Sequence, residues 1–221
     1  MNKLIDIIIP VYSGFVDTVA CLESLLNDCV NISAHEIVVI YDAGPDENLL
    51  DYIEKLATLK KITLLTNEIN LGFVATVNRG MKLHADRDVV LLNSDTVVAN
   101  DWLDRLASCA ASDGSIATIT PFSNNAEICS FPAICEVNEI PMGWNVASLD
   151  AIFSSVSNSM PIDIPTGVGF CMYITRRSIE SVGLFDEVTF GRGYGEENDF
   201  CRRVSASGYR NVLCPNVYVF H

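Results

Sequence analysis

From residue 4 to residue 120 the chain alternates between two hydrophobic patterns. Residues 4–9 form a dense aliphatic run closed by Pro10, the pattern of a strand buried on both faces. Residues 15–27 then place Val16, Val19, Ala20, Leu22, Leu25 and Leu26 at helical spacing. The pair repeats. Residues 36–41 read as a strand, and the turn Asp42-Ala-Gly-Pro-Asp46 leads into a helix over 47–59. A strand over 62–66 precedes a helix over 73–84, and a strand over 89–92 precedes a helix over 101–111. A fifth strand falls at 116–120. Strict alternation of this kind predicts an α/β fold, with a mostly parallel, Rossmann-like sheet and helices on both faces.

The pattern breaks at residues 121–165, which are rich in Asn, Ser and Pro and lack clear period. A long excursion with one short helix, 149–156, is expected, and excursions of this length are usually functional. Regular structure resumes with a strand over 167–174 and a helix over 176–182 ended by Gly183. The run Gly191-Arg-Gly-Tyr-Gly195 reads as a loop, 196–207 as a helix, and 209–214 and 217–220 as two short strands. The sequence stops at His221, directly after a strand, which suggests a further carboxyl-terminal region.

Charge narrows the function classes. The 221 residues hold 28 acids against 14 Lys and Arg, a net charge of −14. With no basic run, nucleic acid is not an expected partner. An anionic ligand is compatible with this balance if a cation mediates. The eight cysteines form no CxxC pair, which argues for reduced core residues rather than a zinc site. The amino-terminal run is too short and too interrupted, by Asp6 and Pro10, for a secretory leader. No stretch approaches the roughly 18 apolar residues of a membrane helix. A cytosolic protein is expected.

Three groups of residues carry candidate chemistry. The strand over 89–92 ends abruptly in Asn93, Ser94 and Asp95. Ligands of open α/β sheets bind outside the carboxyl ends of strands, and oxygen ligands there suit Mg²⁺ or Mn²⁺. The plain alternative is a turn, with Asp95 capping the next helix. Asp42 ends the second strand, where it would line a crevice with Pro10 and Tyr12. Glu196, Glu197 and Asp199 open a helix behind a glycine-rich loop. They suit either helix-dipole complementarity or a general base. His221 follows a buried strand and can complete a metal site begun by Asp95. The G-x-G-x-x-G fingerprint of dinucleotide enzymes is absent after the first strand.

Ile7-Ile-Ile-Pro-Val-Tyr12, Val38-Val-Ile-Tyr-Asp-Ala-Gly-Pro-Asp46, Asn70-Leu-Gly-Phe73, Val77-Asn-Arg-Gly80 and Leu91-Leu-Asn-Ser-Asp95 together resemble the family 2 glycosyltransferases of GT-A fold. So do Gly167-Val-Gly-Phe-Cys-Met, Val182-Gly-Leu-Phe-Asp186 and Gly193-Tyr-Gly-Glu-Glu-Asn-Asp-Phe-Cys-Arg202. The resemblance covers nearly the whole chain, in the family's order. It implies one GT-A domain over 1–221, with a nucleotide-sugar half (1–120) and an acceptor and catalytic half (121–221).

It further implies inverting transfer of a sugar from a UDP-, GDP- or dTDP-sugar to a hydroxyl of a glycan, polysaccharide or lipid-linked acceptor. Pro10, Tyr12 and Asp42 would hold the nucleoside. Asn70, Gly72 and Arg79 would border base and ribose, with Asn93 and Ser94 nearby. Asp95 and His221 would hold Mn²⁺ or Mg²⁺, and Glu197 would be the base. Glu196 and Asp199 stay open as alternatives to Glu197. The chain departs from the family at two points: Asn93 replaces the first Asp of the DxD segment, and the Glu-Asp pair reads Glu196-Glu197. The excursion, with Asn124, Asn125 and Trp144, is expected to shape the acceptor site.

By the same analogy the protein would serve surface-polysaccharide or glycoprotein assembly in the cytosol or at the inner membrane face. A non-catalytic nucleotide-sugar or glycan-binding domain is a second reading, permitted by Asn93. A nucleotidyltransferase is disfavoured, because the loop after the first strand, Val11-Tyr-Ser-Gly-Phe, has no Lys or Arg.

Overall fold

The computed structural model describes residues 4–156 and 160–221. Its strands are β1 (Ile5–Val11), β2 (Glu36–Tyr41), β3 (Thr63–Thr66), β4 (Asp88–Leu92), β5 (Ile116–Phe122), β6 (Ile162–Asp163), β7 (Cys171–Ile174) and β8 (Arg210–Tyr218). They form a single eight-stranded sheet in the order β3-β2-β1-β4-β7-β5-β8-β6. The pairs β3-β2, β2-β1, β1-β4 and β5-β8 are parallel, while β7 runs antiparallel to both β4 and β5. The helices are α1 (Phe15–Asn27), α2 (Glu47–Thr58), α3 (Phe73–Met81), α4 (Trp102–Ser112), α5 (Val146–Val156), α6 (Arg176–Val182), α7 (Glu187–Phe190) and α8 (Glu196–Ala206).

Strand alternation sorts the core into two layers. Ile5, Ile7, Ile9 and Val11 of β1 join Leu22 and Leu25 of α1, Leu49 and Ile53 of α2, and Trp102 and Leu106 of α4. Ile8 points the other way, into a second cluster with Val74, Val77 and Met81 of α3, Ile179 of α6, and Phe200 and Val204 of α8. Burying apolar side chains on both faces is what the unbroken aliphatic runs of β1 and β4 require.

Some boundaries moved. The strand expected over 167–174 is regular only from Cys171, and the two expected carboxyl-terminal strands are one, β8. Pairing between β5 and β8 shifts register from Pro121 to Phe122, so the chain bends there without ending. The predicted 149–156 helix begins three residues earlier, as α5. Two short elements, β6 and α7, carry too few residues to show period.

The excursion is pinned to the sheet at two points. Asp150 of α5 is fully buried, accepts from Tyr218 N and Asn100 Nδ2, and is paired with Arg105 of α4. Beside it, Phe122, Phe131, Phe153 and Tyr218 pack with ring centroids 5.1–5.6 Å apart. The aromatic spacing, rather than any helical period, is what orders this segment.

At the amino-terminal edge of the sheet, Asp6 of β1 is fully buried. It is held by Arg87 Nη1 at 2.9 Å and His84 Nδ1 at 2.9 Å, and Arg87 also bonds Glu36 of β2. Removing the guanidinium leaves a buried carboxylate short of its main cation. Arg87→Ala is therefore expected to lower stability by about 2–4 kcal/mol. Urea unfolding measures this. A loss below about 0.5 kcal/mol would place the network with weak surface pairs.

Candidate active site

The carboxyl ends of β1, β2 and β4 open onto a cavity of about 480 Å³. Its wall includes Pro10 and Tyr12 beyond β1, Asp42 beyond β2, Asn70, Gly72 and Thr76 around the start of α3, and Asn93, Ser94 and Asp95 beyond β4. Asp17 of α1 and Arg192 complete it. Eight of the positions expected to hold a nucleotide-sugar or metal thus share one cavity.

Asp42 organises one wall. Its Oδ1 accepts from Asn67 Nδ2 at 2.7 Å and Leu71 N at 2.8 Å, and its Oδ2 accepts from Gly72 N at 2.9 Å. A carboxylate receiving backbone N–H groups is a strong, charge-assisted arrangement. Asp42 was expected to face a nucleoside. The structure gives it these protein donors and keeps it on the cavity wall. Asn67 also donates to Thr76 Oγ1 at 3.0 Å and accepts from Arg79 Nη1 at 2.5 Å. Arg79 bonds Thr66 O as well, so it braces this loop from behind and does not line the cavity. Gly72 has φ +83°, and a Cβ there would lie 2.8 Å from the Cα of Arg192. Only glycine fits that turn and that approach.

A second corner forms where β4 ends. The chain turns, with Thr96 N donating to Asn93 O at 3.3 Å, so Asn93 and Asp95 do not continue an extended strand. Asp101, not Asp95, stands at the start of α4. Asp95 instead faces His221, whose Nε2 is 3.6 Å from Asp95 Oδ1 and 3.4 Å from Asn93 Nδ2. His221 is fixed from several sides. Its Nδ1 is 2.8 Å from Asn125 O, its backbone exchanges two bonds with Asn124, and its ring stacks on Phe170 at 5.1 Å. A carbonyl only accepts, so Nδ1 carries a hydrogen, and Nε2 is the ring atom that faces Asp95. Asn124 and Asn125, expected at an acceptor site, hold this histidine.

The third corner is the start of α8. Gly195, at φ +99°, turns the chain into the helix. Glu196 is buried, and burial, reinforced by the adjacent Glu197 charge, pushes its carboxyl up to about 7. Glu197 is partly exposed, with Oε1 3.6 Å from where a Cβ on Gly169 would stand. The next residue, Phe170, accepts from Asn93 N at 2.8 Å and stacks on His221, so Glu197 stands close behind the second corner. Asp199 is paired with Arg203 at 2.7 Å, and Arg203 also caps Val182 O and Leu184 O. Asp199 thus has an ion-pair partner, which neither Glu196 nor Glu197 has among the described residues. Neither Oε2 of those two glutamates has a hydrogen-bond partner among the described residues.

Asn67, Asp17, Phe170 and Arg192 had not been singled out by sequence. Arg192 left a signal, as the one cation inside a glycine-rich run. The others are ordinary residues whose roles depend on long-range packing. Asp6, Glu36 and His84 also bring ligand-type atoms within 4.8 Å of one another. They sit at the opposite edge of the sheet, and Arg87 already bonds both acids. That cluster reads as an ion-pair network.

A mostly parallel α/β sheet with an antiparallel strand inserted after β4 and a cavity at its carboxyl edge is the GT-A glycosyltransferase fold seen in known structures. Known structures agree. The chain superposes on GalNAc-T7, solved with UDP, GalNAc and Mn²⁺, with TM-score 0.77 at 17% identity, covering 99% of this chain and 43% of that one. It superposes on the mannosyltransferase PcManGT of Pyrobaculum calidifontis, solved with GDP-Man and Mn²⁺, with TM-score 0.69 at 14% identity, covering 100% and 57%.

The profile of Glycosyl transferase family 2 matches residues 6–183, and the chain belongs to that family. The match ends before α8 and His221. Two curated relatives are uncharacterized glycosyltransferases. One, from Rickettsia bellii, is 25% identical over 210 residues, which is 95% of this chain and 27% of that protein. The other, from Haemophilus influenzae, is 24% identical over 106 residues, 48% of this chain and 32% of the relative. The chain thus spans less than a third of either.

The raised Glu196 carboxyl has a consequence for stability. Its contribution is fully present below about 4.5, the ordinary carboxylate value, and is lost as pH rises through about 7. Glu196→Gln is expected to flatten this loss, gaining on the order of 2 kcal/mol on the unaltered protein between pH 5 and pH 8. Thermal unfolding of both across that range is the measurement. Parallel curves would show that Glu196 does not titrate there.

Proposed function

We propose that this protein is a metal-dependent, inverting glycosyltransferase that moves a sugar from a nucleoside diphosphate sugar to an acceptor hydroxyl. The observation that carries the reading is the convergence of Asp95 and His221 Nε2 at the edge of the cavity walled by Asp42, Tyr12 and Gly72. A carboxylate oxygen beside a neutral imidazole nitrogen fits Mn²⁺ better than the harder Mg²⁺. Both relatives of known structure were solved with Mn²⁺ and a nucleotide or nucleotide-sugar, which supports the same donor class.

Asp95 and His221 would hold the cation, which when bound supplies positive charge to the diphosphate. The remaining work belongs to protein groups. Tyr12 and the loop braced by Asp42 would seat the nucleoside. Glu197 would take the proton of the acceptor hydroxyl as its oxygen forms the new bond to the anomeric carbon. The bond from that carbon to the diphosphate breaks on the opposite face, and configuration inverts. Burial favours a proton on Glu196, which leaves the partly exposed Glu197 as the better placed of the two. The ion pair of Asp199 with Arg203 counts against Asp199 as the base.

The acceptor would enter from the side of residues 121–165, where Trp144 and Phe131 are about half exposed and offer apolar faces for a sugar or lipid-linked glycan. Polysaccharide or glycoprotein assembly in the cytosol, or at the inner membrane face, remains our reading by family analogy. No helix of the described residues is long and apolar enough to cross a membrane.

Calorimetric titration of UDP, GDP and dTDP, each with and without Mn²⁺, tests the donor half. One should bind in a Mn²⁺-dependent manner, and Asp95→Ala should remove that dependence. No binding under any condition sinks the reading. Glu197→Gln tests the chemical half: turnover of the matching nucleotide-sugar should fall about 10²–10⁴-fold while diphosphate affinity holds. Unchanged turnover would move the base to Glu196.

A further inference from the structure

We propose that Arg192 binds the diphosphate of the donor, as the cation that the protein itself supplies to this cavity. The inference rests on the nucleotide-sugar reading above and deepens it.

Among the described residues, the cavity wall carries three carboxylates, Asp17, Asp42 and Asp95, and one cationic side chain, Arg192. Asp42 is occupied by its three donors, but the other two leave the cavity acidic. The whole chain adds to this, at −14. A diphosphate approaching such a field is repelled unless cations stand inside the site. A divalent ion held by Asp95 and His221 would answer part of the repulsion. Breaking the bond to the anomeric carbon then adds negative charge to the leaving diphosphate, so a second, fixed cation has most to do as the reaction proceeds.

Arg192 is built for that place. Its backbone carbonyl accepts from Phe73 N at 3.2 Å. Its stem lies on Gly72, where a Cβ would meet Arg192 Cα at 2.8 Å and Cγ at 3.0 Å. The loop held by Asp42 therefore carries the arginine against the cavity wall. The flanking Gly191 (φ +54°) and Gly193 (φ +139°) adopt backbone that side chains avoid, so the loop's shape depends on glycine on either side of the arginine. The guanidinium is exposed and has no ion-pair partner among the described residues. Arg79 and Arg203, by contrast, are bonded into the framework. A planar guanidinium also suits two phosphate oxygens at once.

The test compares ligands that differ only in the phosphates. UDP, GDP and dTDP, and uridine, guanosine and thymidine, are titrated in Mn²⁺ into the unaltered protein, Arg192→Ala and Arg192→Lys. For the base that binds, Arg192→Ala should weaken the diphosphate about tenfold or more and change the nucleoside by less than about twofold. Arg192→Lys should recover part of the difference. Thermal unfolding should be the same for all three proteins, since the side chain is exposed. Equal loss for diphosphate and nucleoside, or loss of neither, overturns the inference while leaving the nucleotide reading intact. If the unaltered protein binds none of the three diphosphates, both fall together.

Discussion

The position of β7 is the constraint on which the site depends. It is the antiparallel strand between β4 and β5, and it closes the sheet between the regular first half and the irregular second. Because it runs against its neighbours, its amino-terminal end lies at their carboxyl edge. That geometry delivers Gly169 and Phe170 to the place where β4 ends. Asn93 N is then satisfied by Phe170 O, the Phe170 ring gives His221 a face to stack on, and Gly169 lies beside Glu197. A parallel strand in the same slot would send these residues to the far edge. The reversal of one short strand therefore brings residues from both halves of the chain to one corner.

Buried polar bonds then set positions that apolar packing leaves free. Asp42, Asn67 and Asp150 each join segments far apart in sequence through several bonds. Such groups are costly to bury unless every partner is present, so a register error or misplaced loop is penalised strongly. Around Asp42 this logic fixes residues 67–72, and through Gly72 it sets how closely residues 191–195 approach. Around Asp150 it fixes α5 and the end of β8, from which the chain reaches His221. In contrast, Glu196 and Glu197 each have one oxygen without a partner among the described residues. On the proposed reading, two adjacent acids left partly unsatisfied in a well-bonded framework fit a site that moves a proton.

Most of the first 120 residues was legible because strand burial and helix amphipathicity leave periodic marks. β2 and α1 fall where the pattern put them, and the layer assignment follows from alternation alone. The second half was less legible for physical reasons. Its order comes from an aromatic cluster and a buried ion pair, neither of which has a period. The candidate site divided along the same line. Asp42, Asn93 and Asp95 could be found because they stand at strand ends, where a sheet exposes its ligand edge. The neighbours that give them their roles could not: Asn67, Phe170 and the carbonyl of Asn125 act through distance and direction. Arg79 shows the converse. It belongs to a recognisable motif, yet its guanidinium braces the wall from outside the cavity.

On the proposed reading, charge also explains why the metal corner takes this form. With Asn93 in place of a first aspartate, the strand end offers one carboxylate, and a single carboxylate is a weak grip on a divalent ion. His221 compensates in a particular way. Its ring is held through Nδ1 by Asn125 O, so Nε2 is the atom turned toward Asp95 and would be the ligand. The neutral ligand adds coordination without adding negative charge to a cavity that already holds three acids. A second aspartate would bind the ion more tightly and repel the diphosphate more strongly. Exchanging an acid for an amide at Asn93, while drawing in a histidine and an arginine from later in the chain, shifts the balance from holding the ion toward holding the anion.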